Sequence, residues 1–257
     1  MKMNDVVALN IWQFSLVYLL LFVVLFVMKR CKMKQTKLLF VASVRMTVQL
    51  ILAGLILTYI FDHPHPLFTA AYIVVMTLFS IRMMLRRNEG IGRKFQVIAG
   101  CSLAVSGILV LCFFIIVIVG VDLFDPQYTI PISGMIIGNA MTGLSLGLKN
   151  FHETIRTKHT EIETLLNMGV HPNKILIPIV NTAVETALLP TLNSMLGLGI
   201  ISLPGMMTGQ ILAGTMPLTA ILYQIAIMIS VCAVTCLSVF CALHFGSRTL
   251  YNDRHQI

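Results

Sequence analysis

Long runs of apolar residues, separated by short polar segments, make up most of this chain. A helix needs roughly 20 apolar residues to cross the hydrocarbon core of a bilayer. Continuously apolar runs favour helices, because membrane β-strands alternate in polarity from residue to residue. The pattern predicts an all-α integral membrane protein with about seven transmembrane helices, at 9–28, 38–61, 67–85, 97–119, 128–148, 177–203 and 218–244.

Composition excludes the other broad classes of protein. Of the 257 residues, 57% are hydrophobic and only 11% are charged, whereas soluble domains have about 25% charged residues. Disordered chains combine low hydrophobicity with high charge. Because the longest segment between predicted spans, 149–176, is short, we expect a single transmembrane domain over 1–257 and no separate soluble domain.

The basic residues lie almost entirely on one side of the predicted spans. Fifteen of the eighteen Lys and Arg residues fall in 29–37, 86–96, 149–176 and the C-terminal tail, and the opposite segments hold only Lys2. Cytoplasmic loops carry an excess of Lys and Arg. We therefore expect a multi-pass protein of the cell membrane (inner or plasma) with its N-terminus outside and its C-terminus in the cytoplasm. The net charge of +8 then marks a membrane face and not a nucleic-acid surface.

Segment 149–176 has the pattern of an amphipathic helix that ends at Gly169. Such a helix either lies on the membrane surface or docks onto a cytoplasmic partner, and the pattern alone favours neither. The predicted helix has about four turns, and its apolar face carries Phe151, Ile155, Ile162, Leu165 and Leu166.

Glu163, Gly169 and Pro172 resemble the cytoplasmic loop of ATP-binding cassette (ABC) transporter permeases, in which a short coupling helix sits in a cleft of the ATPase subunit. The chain departs from the usual form of that loop in two ways. Thr164 and Leu165 stand where two alanines are usual, and Pro178 follows the glycine sooner. The resemblance implies an ATPase-coupling role for Glu163, Gly169, Val170, Pro172 and Lys174.

A longer stretch carries a more specific resemblance. The sequences are GMIIGNAMTG at 134–143, LPTLNS at 189–194 and ISLPGMMTGQILAG at 201–214. Together they are similar to the iron-export ABC permease family of the FetB type, and to plant aluminium-tolerance permeases. The resemblance covers nearly the whole chain. It implies a membrane permease subunit that works with a separate cytoplasmic ATPase and exports iron.

The chain has no G-x-x-x-x-G-K-[ST] sequence to cradle ATP phosphates. We therefore expect that the chain is not itself an enzyme and binds no cofactor. ATP and magnesium would be bound by the partner ATPase subunit.

Two pairs of glycines, each four residues apart, occur in the fifth span. Small residues at this spacing let two helices approach closely in lipid. They serve either packing within one chain or a homodimer face, and the resemblance favours the dimer, because an ABC exporter needs two membrane halves. The pairs are Gly134 with Gly138 and Gly143 with Gly147.

Polar residues inside the spans mark a candidate substrate pathway. Glu185 is the only acidic residue in any predicted span, and a charge at mid-membrane costs roughly 2.5–3.5 kcal/mol on insertion scales. We expect Glu185 to line a cavity and to be the best single candidate for a metal ligand; the other metal ligands are unknown. Pairing with a basic group such as Arg45 is the alternative. The predicted pathway also contains Asn139, Thr142, Asn181 and Asn193, on stripes expected to face each other.

Met206 and Met207 lie in an uncharged, glycine-rich segment after the sixth span. Their thioethers suit soft metals such as Cu(I) better than Fe(II). Packing is the alternative role, because the chain contains sixteen methionines. We include both residues in the predicted pathway.

These observations predict the permease half of an ATP-driven exporter, which moves iron or a related metal ion by alternating access. The protein would assemble as a homodimer in membrane lipid, with an ABC ATPase, and would bind no nucleic acid. Two alternatives remain open: an ABC permease for another small solute such as a nucleotide sugar, and an ATP-independent channel or scaffold.

Overall fold

A computed structural model describes residues 11–33, 35–88 and 90–249 of the chain. These residues form helices and no β-strand, which confirms the predicted all-α class. The helices are α1 (Ile11–Arg30), α2 (Thr36–Asp62), α3 (Pro66–Arg87), α4 (Arg93–Phe113, continued by a π-helix, Phe114–Val119), α5 (Pro126–Thr157), α6 (His159–Asn167), α7 (Pro172–Gly197), α8 (Gly205–Leu212) and α9 (Pro217–Ser247).

Within the described ranges, six helices are long and apolar enough to cross a membrane: α2, α3, α4 with its π-helical end, α5, α7 and α9. They correspond to the second to seventh predicted spans. The first predicted span forms α1, which is not among these six, so the count of seven stays a prediction. Both chain ends, including Lys2, lie outside the described residues, and the predicted orientation stays a prediction too.

Four of the spanning helices begin at a proline. Proline suits the first helical position, because its fixed φ matches the helix and its missing N–H has no partner there in any case. The preceding side chain caps three of these helices by accepting a hydrogen bond from a backbone N–H. The capping atoms are a carboxylate oxygen of Asp125 (3.0 Å) and the Nδ1 atoms of His65 (3.2 Å) and His171 (3.3 Å). The helices begin at Pro66, Pro126, Pro172 and Pro217.

The chain divides into two compact units. The first contains residues 1–64 and 212–214, and therefore α1 and α2. These two helices contact each other, and Tyr18 Oη and Thr47 Oγ1 form a hydrogen bond of 2.7 Å between them. A polar pair of this kind fixes the register of two helices whose surfaces are otherwise apolar.

The second unit contains α3 to α7 and α9, with most of α8. Helix α5 lies at its centre and packs against α3, α4, α7 and α9. Ile136, Leu144 and Leu148 of α5 are fully buried. Most of the residues that carry the resemblance therefore lie on the central helix of this unit and on its neighbour α7.

Helix α5 is longer than the sequence pattern predicts. It has 32 residues, or about 48 Å at 1.5 Å per residue, against roughly 30 Å for the hydrocarbon core. The expected separate amphipathic helix does not start near 149. Its first part continues α5 to Thr157, because no proline and no left-handed glycine interrupts 148–157, and the remainder forms α6 after a break at Lys158.

Two aromatic rings pack together in the second unit, beside the start of the 149–176 loop. The rings of Phe95 and Phe151 lie 6.0 Å apart, and both side chains are buried. Gly246 of α9 makes room for the Phe95 ring, since a Cβ there would lie 2.6 Å from it. The extension of α5 is thus packed against α4, which gives the 149–176 loop a rigid base.

Candidate functional site

Helices α5 and α7 meet through small residues. A Cβ added at Gly147 would lie 3.2 Å from Cβ of Ala187 and 3.4 Å from the carbonyl oxygen of Ala183, and one added at Gly143 would lie 3.4 Å from the carbonyl oxygen of Ala187. The residue numbers run in opposite directions along this contact, so the helices are antiparallel. The same glycines also face α9, at Thr235 and Val239. This glycine pair therefore serves packing within the chain.

The first glycine pair of α5 is not used in this way. Around Gly138, no atom of the described residues lies within 4 Å of an added Cβ, and around Gly134 the nearest is Sδ of Met76 at 3.9 Å. Both glycines are half-exposed. No described helix therefore packs closely against these two glycines, although their spacing permits it, and the dimer role stays a prediction.

Polar side chains of α5 lie beside this open pair. Asn139 and Thr142 are both exposed. Nδ2 of Asn139 donates to the carbonyl oxygen of Met135 (2.7 Å), and the Thr142 hydroxyl donates to that of Gly138 (3.0 Å). Their donors are thus satisfied by their own helix, while Oδ1 of Asn139 is available as an acceptor.

On α7, the predicted pathway residues Asn181, Glu185 and Asn193 are all exposed. Glu185 lies two residues from both Ala183 and Ala187, on the opposite side of the helix from the α5 contact. Its exposed neighbours along the helix are Asn181 and Thr182 one turn before it and Leu189 one turn after it, the last 52% exposed. A carboxylate in such a surface needs a polar covering, because lipid does not solvate it.

Glu185 makes no ion pair with the described residues of its own unit. The alternative partner, Arg45, belongs to the first unit, and that pairing stays a prediction. The described residues contain no group of three or more His, Cys, Asp or Glu side chains able to hold a metal ion. Among the described residues of its own unit, Glu185 is therefore an isolated carboxylate on a membrane-spanning helix.

The two polar stripes do not enclose a cavity between α5 and α7. Those helices touch through glycine and alanine, and the polar residues lie on the exposed faces next to that contact. A pathway lined by Asn139, Thr142, Asn181 and Glu185 needs a further surface to close it.

The 149–176 loop is shaped by a glycine cap. After α6, the N–H of Gly169 donates to the carbonyl oxygen of Leu166 (2.9 Å), and the N–H of Val170 donates to that of Leu165 (3.1 Å). Gly169 has φ +85°. This is a Schellman motif, in which a left-handed residue turns the chain and a hydrophobic contact seals the end. Val170 and Leu165 both pack against the core, as that motif requires.

The predicted coupling residues divide into an exposed and a packed set. Glu163 and Lys174 are exposed, and Glu163 lies 3.5 Å from Nδ1 of His159 on the same face of α6. Pro172 is buried at the start of α7 and Val170 is half-buried. The loop therefore offers charged side chains on a backbone that is fixed by Gly169 and Pro172.

Met206 and Met207 lie on the short helix α8. Met206 is half-buried against the core, and Met207 is buried. Sequence reasoning missed two other polar groups in this region, Gln210 and Gln224, whose Oε1 atoms are buried without a hydrogen-bond partner in the described structure. An amide inside an otherwise apolar span was the signal that could have identified Gln224.

Comparison with known proteins gives one family. Residues 11–251 match the model of a family described as an uncharacterised protein family, UPF0014. The chain is 34% identical over 228 residues to the UPF0014 membrane protein YjkA of Bacillus subtilis, which covers 87% of this chain and 88% of that protein. No solved structure matches.

Two further relatives carry more specific names. The chain is 31% identical over 220 residues to the probable iron export permease protein FetB of Escherichia coli, covering 83% of this chain and 81% of that protein. It is 33% identical over 188 residues to the protein ALUMINUM SENSITIVE 3 of Arabidopsis thaliana, covering 72% and 66%. The resemblance read from the sequence is thereby confirmed. With six helices among the described residues that are long and apolar enough to cross a membrane, this chain is a multi-pass protein of the cell membrane and belongs to the UPF0014 family.

Proposed function

We propose that the chain is the membrane-spanning permease half of an ABC exporter, which moves iron or a related metal ion by alternating access. The observation that carries this proposal is the exposed carboxylate of Glu185, with Asn181 beside it, on a membrane-spanning helix. The FetB relative, which is named as a probable iron export permease, supports the choice of cargo, since a carboxylate with amide oxygens forms a hard donor set.

A second copy of the chain would cover these polar residues and shield them from lipid. The open glycine pair Gly134 and Gly138 lies on α5 next to Asn139 and Thr142. Contact between two copies at this pair would bring two sets of polar residues together and remove them from lipid. The substrate pathway would then lie between the copies and include a carboxylate from each.

Gly138→Leu should convert dimers to monomers without unfolding the chain. A Cβ added at Gly138 meets no described atom within 4 Å, but a leucine there would separate two helices that pack through this glycine, and we expect dimerisation to weaken by roughly tenfold or more. Light scattering of the purified protein in detergent measures the change. Gly54→Leu on α2, which also meets no atom within 4 Å, is the matched control. Unchanged dimers in the Gly138 variant would show that the interface lies elsewhere.

The capped loop is the surface on which an ATPase would act. Its exposed charges, including Glu163 and Lys174, stand on α6 and the start of α7, and α7 carries Glu185. Closure of an ATPase dimer, with ATP and magnesium bound in that partner, would displace the loop and tilt α7 together with α5. The polar pathway would open alternately to the two sides of the membrane.

Gly169→Val should uncouple the ATPase from transport while the chain stays inserted. A β-branched residue at φ +85° costs about 1–2 kcal/mol or more, enough to lower the population of the capped loop by roughly 5- to 30-fold. No described atom lies within 4 Å of an added Cβ, so the effect is one of backbone conformation alone.

The measurement uses the chain reconstituted with an ABC ATPase that co-purifies with it, and follows metal-stimulated ATP hydrolysis across a panel of metal ions. Gly169→Asn is the control, because asparagine tolerates the left-handed conformation; it should retain most of the stimulation. Equal stimulation in the Val and Asn variants would remove the coupling role from this loop. Failure of every metal to stimulate the wild-type pair would argue against a metal cargo.

A further inference from the structure

A cavity of about 450 Å³ lies where the end of α7, α8 and the first half of α9 come together. It is lined by residues of the 195–207 region and by residues 221–229, all within the second unit. It lies at the end of α7 opposite to the 149–176 loop. None of the predicted pathway residues on α5 or α7 lines it, and Met207 is the one residue of the predicted pathway that does.

Methionines are concentrated in the lining. Three of the eleven lining residues are methionine, Met195, Met207 and Met228, whereas the whole chain has sixteen in 257 residues. They come from three different helices, α7, α8 and α9. Met207 is buried and Met228 is half-buried, whereas Met195 is 36% exposed and lies at the rim.

One polar side chain lines the cavity, and it lacks a partner. Gln224 is only 7% exposed, and its Oε1 has no hydrogen-bond donor in the described structure. It lies one helical turn before Met228 on α9. Oε1 of Gln210, almost one turn after Met207 on α8, is buried without a partner as well. Native proteins rarely leave such acceptors unsatisfied, and each calls for an explanation such as an ion.

The chemistry of these donors selects the class of ligand. The lining contains thioether sulfurs and an amide but no charged side chain. Divalent hard cations are held by carboxylates, whereas thioethers select soft cations such as Cu(I). Neutral donors also fit a single positive charge better than a double one, because less charge is left uncompensated in a low-dielectric site.

We propose that the cavity formed by Met195, Met207, Met228 and Gln224 binds a soft monovalent cation, Cu(I) or Ag(I). This site is separate from the hard-donor pathway around Glu185. It does not depend on the proposed export function, because binding is a property of the permease chain alone.

The direct test is nuclear magnetic resonance of the full chain in detergent, labelled with ¹³C at the methionine methyl groups. Ag⁺ is the probe, since it matches Cu(I) in charge and softness and resists oxidation. The methyl resonances of the three cavity methionines should shift on addition of Ag⁺, while that of Met141, a half-buried methionine of α5 outside the lining, should not. This readout reports thioether binding even though the six cysteines of the chain also take up Ag⁺.

Variants then test the assignment by affinity, with all six cysteines replaced by alanine. Met207→Leu keeps the side-chain volume and should weaken Ag⁺ binding by about 10- to 100-fold, and Gln224→Leu should weaken it as well. Met141→Leu should leave the affinity unchanged. If the cysteine-free chain does not fold, the methyl shifts in the wild-type chain decide alone.

Two results would overturn the proposal. One is that Ag⁺ shifts no cavity methyl group. The other is equal Ag⁺ affinity in the Met207→Leu and Met141→Leu variants. The cavity would be assigned to a lipid acyl chain and its polar end under three conditions. A membrane lipid would co-purify with the wild-type chain, it would be lost in the Gln224→Leu variant, and Ag⁺ would shift no cavity methyl group.

Discussion

Glu185→Gln should abolish metal efflux while leaving the protein inserted and dimeric. The substitution keeps the shape and polarity of the side chain and removes only its charge, so packing is unaffected. Two copies would together lose two carboxylates from the proposed pathway. Because loss of even a supporting group at a metal site lowers affinity by about 10–100-fold, we expect efflux of the transported metal to fall by at least that factor.

Efflux is measured as loss of loaded metal from cells or vesicles, normalised to the amount of protein in the membrane. Asp62→Asn at the end of α2 is the matched control: that carboxylate is also exposed, and it lies outside both the proposed pathway and the 149–176 loop. Glu185→Asp should retain partial efflux. Wild-type efflux in the Gln variant would take Glu185 out of the pathway and leave it as a tolerated charge in the middle of α7.

Gly143→Ala should destabilise the fold by about 1–3 kcal/mol, the usual cost of adding atoms to a well-packed core. The new Cβ would overlap Cγ2 of Thr235, a residue with no exposed surface, and would press on the backbone of α7 at Ala187. Neither neighbour has free space to move into. At Gly54 of α2, by contrast, an added Cβ meets no atom within 4 Å, so Gly54→Ala should raise stability by about 0.5–1 kcal/mol, because alanine is the better helix former.

Thermal unfolding in detergent, followed by fluorescence-detected gel filtration, measures the difference. Thr235→Ser removes the overlapping methyl group, so the double variant Gly143→Ala with Thr235→Ser should recover most of the lost stability. Such a recovery is the energetic coupling expected of residues in contact. Equal melting temperatures for Gly143→Ala and the wild type would mean that α5 and α9 are less tightly packed at this point than the structure shows.

Features decided by local chemistry could be predicted from the sequence. Gly169 follows the amphipathic pattern directly, and only a left-handed residue ends a helix in that way. Proline and the residue before it specify the starts of α5 and α7 in the same manner. The exposed charges of the loop followed from helical periodicity, because that periodicity is a property of a single helix.

Features decided by contact between helices could not be predicted. The two glycine pairs of α5 have identical spacing, yet Gly143 packs against Thr235 and Gly138 faces open space. That difference depends on where α7 and α9 lie. The contact of Phe151 with Phe95, which holds the extended end of α5 against α4, likewise depends on where the two helices lie. Gln224 was not singled out from the sequence, because the lack of a hydrogen-bond donor for its Oε1 can be seen only when the surrounding helices are in place.

Because α5 is continuous from Asn139 to Thr157, this segment can rotate as a rigid body. No proline interrupts these residues, which span about 27 Å, and the only proline inside the helix, Pro131, lies beyond them. A swing of roughly 10° about one end would carry the other end through about 5 Å over that length. A displacement imposed at the Thr157 end of α5 thus rotates the polar side chains together with the rest of the segment, and the bend that absorbs this rotation belongs at Pro131, past the last of them.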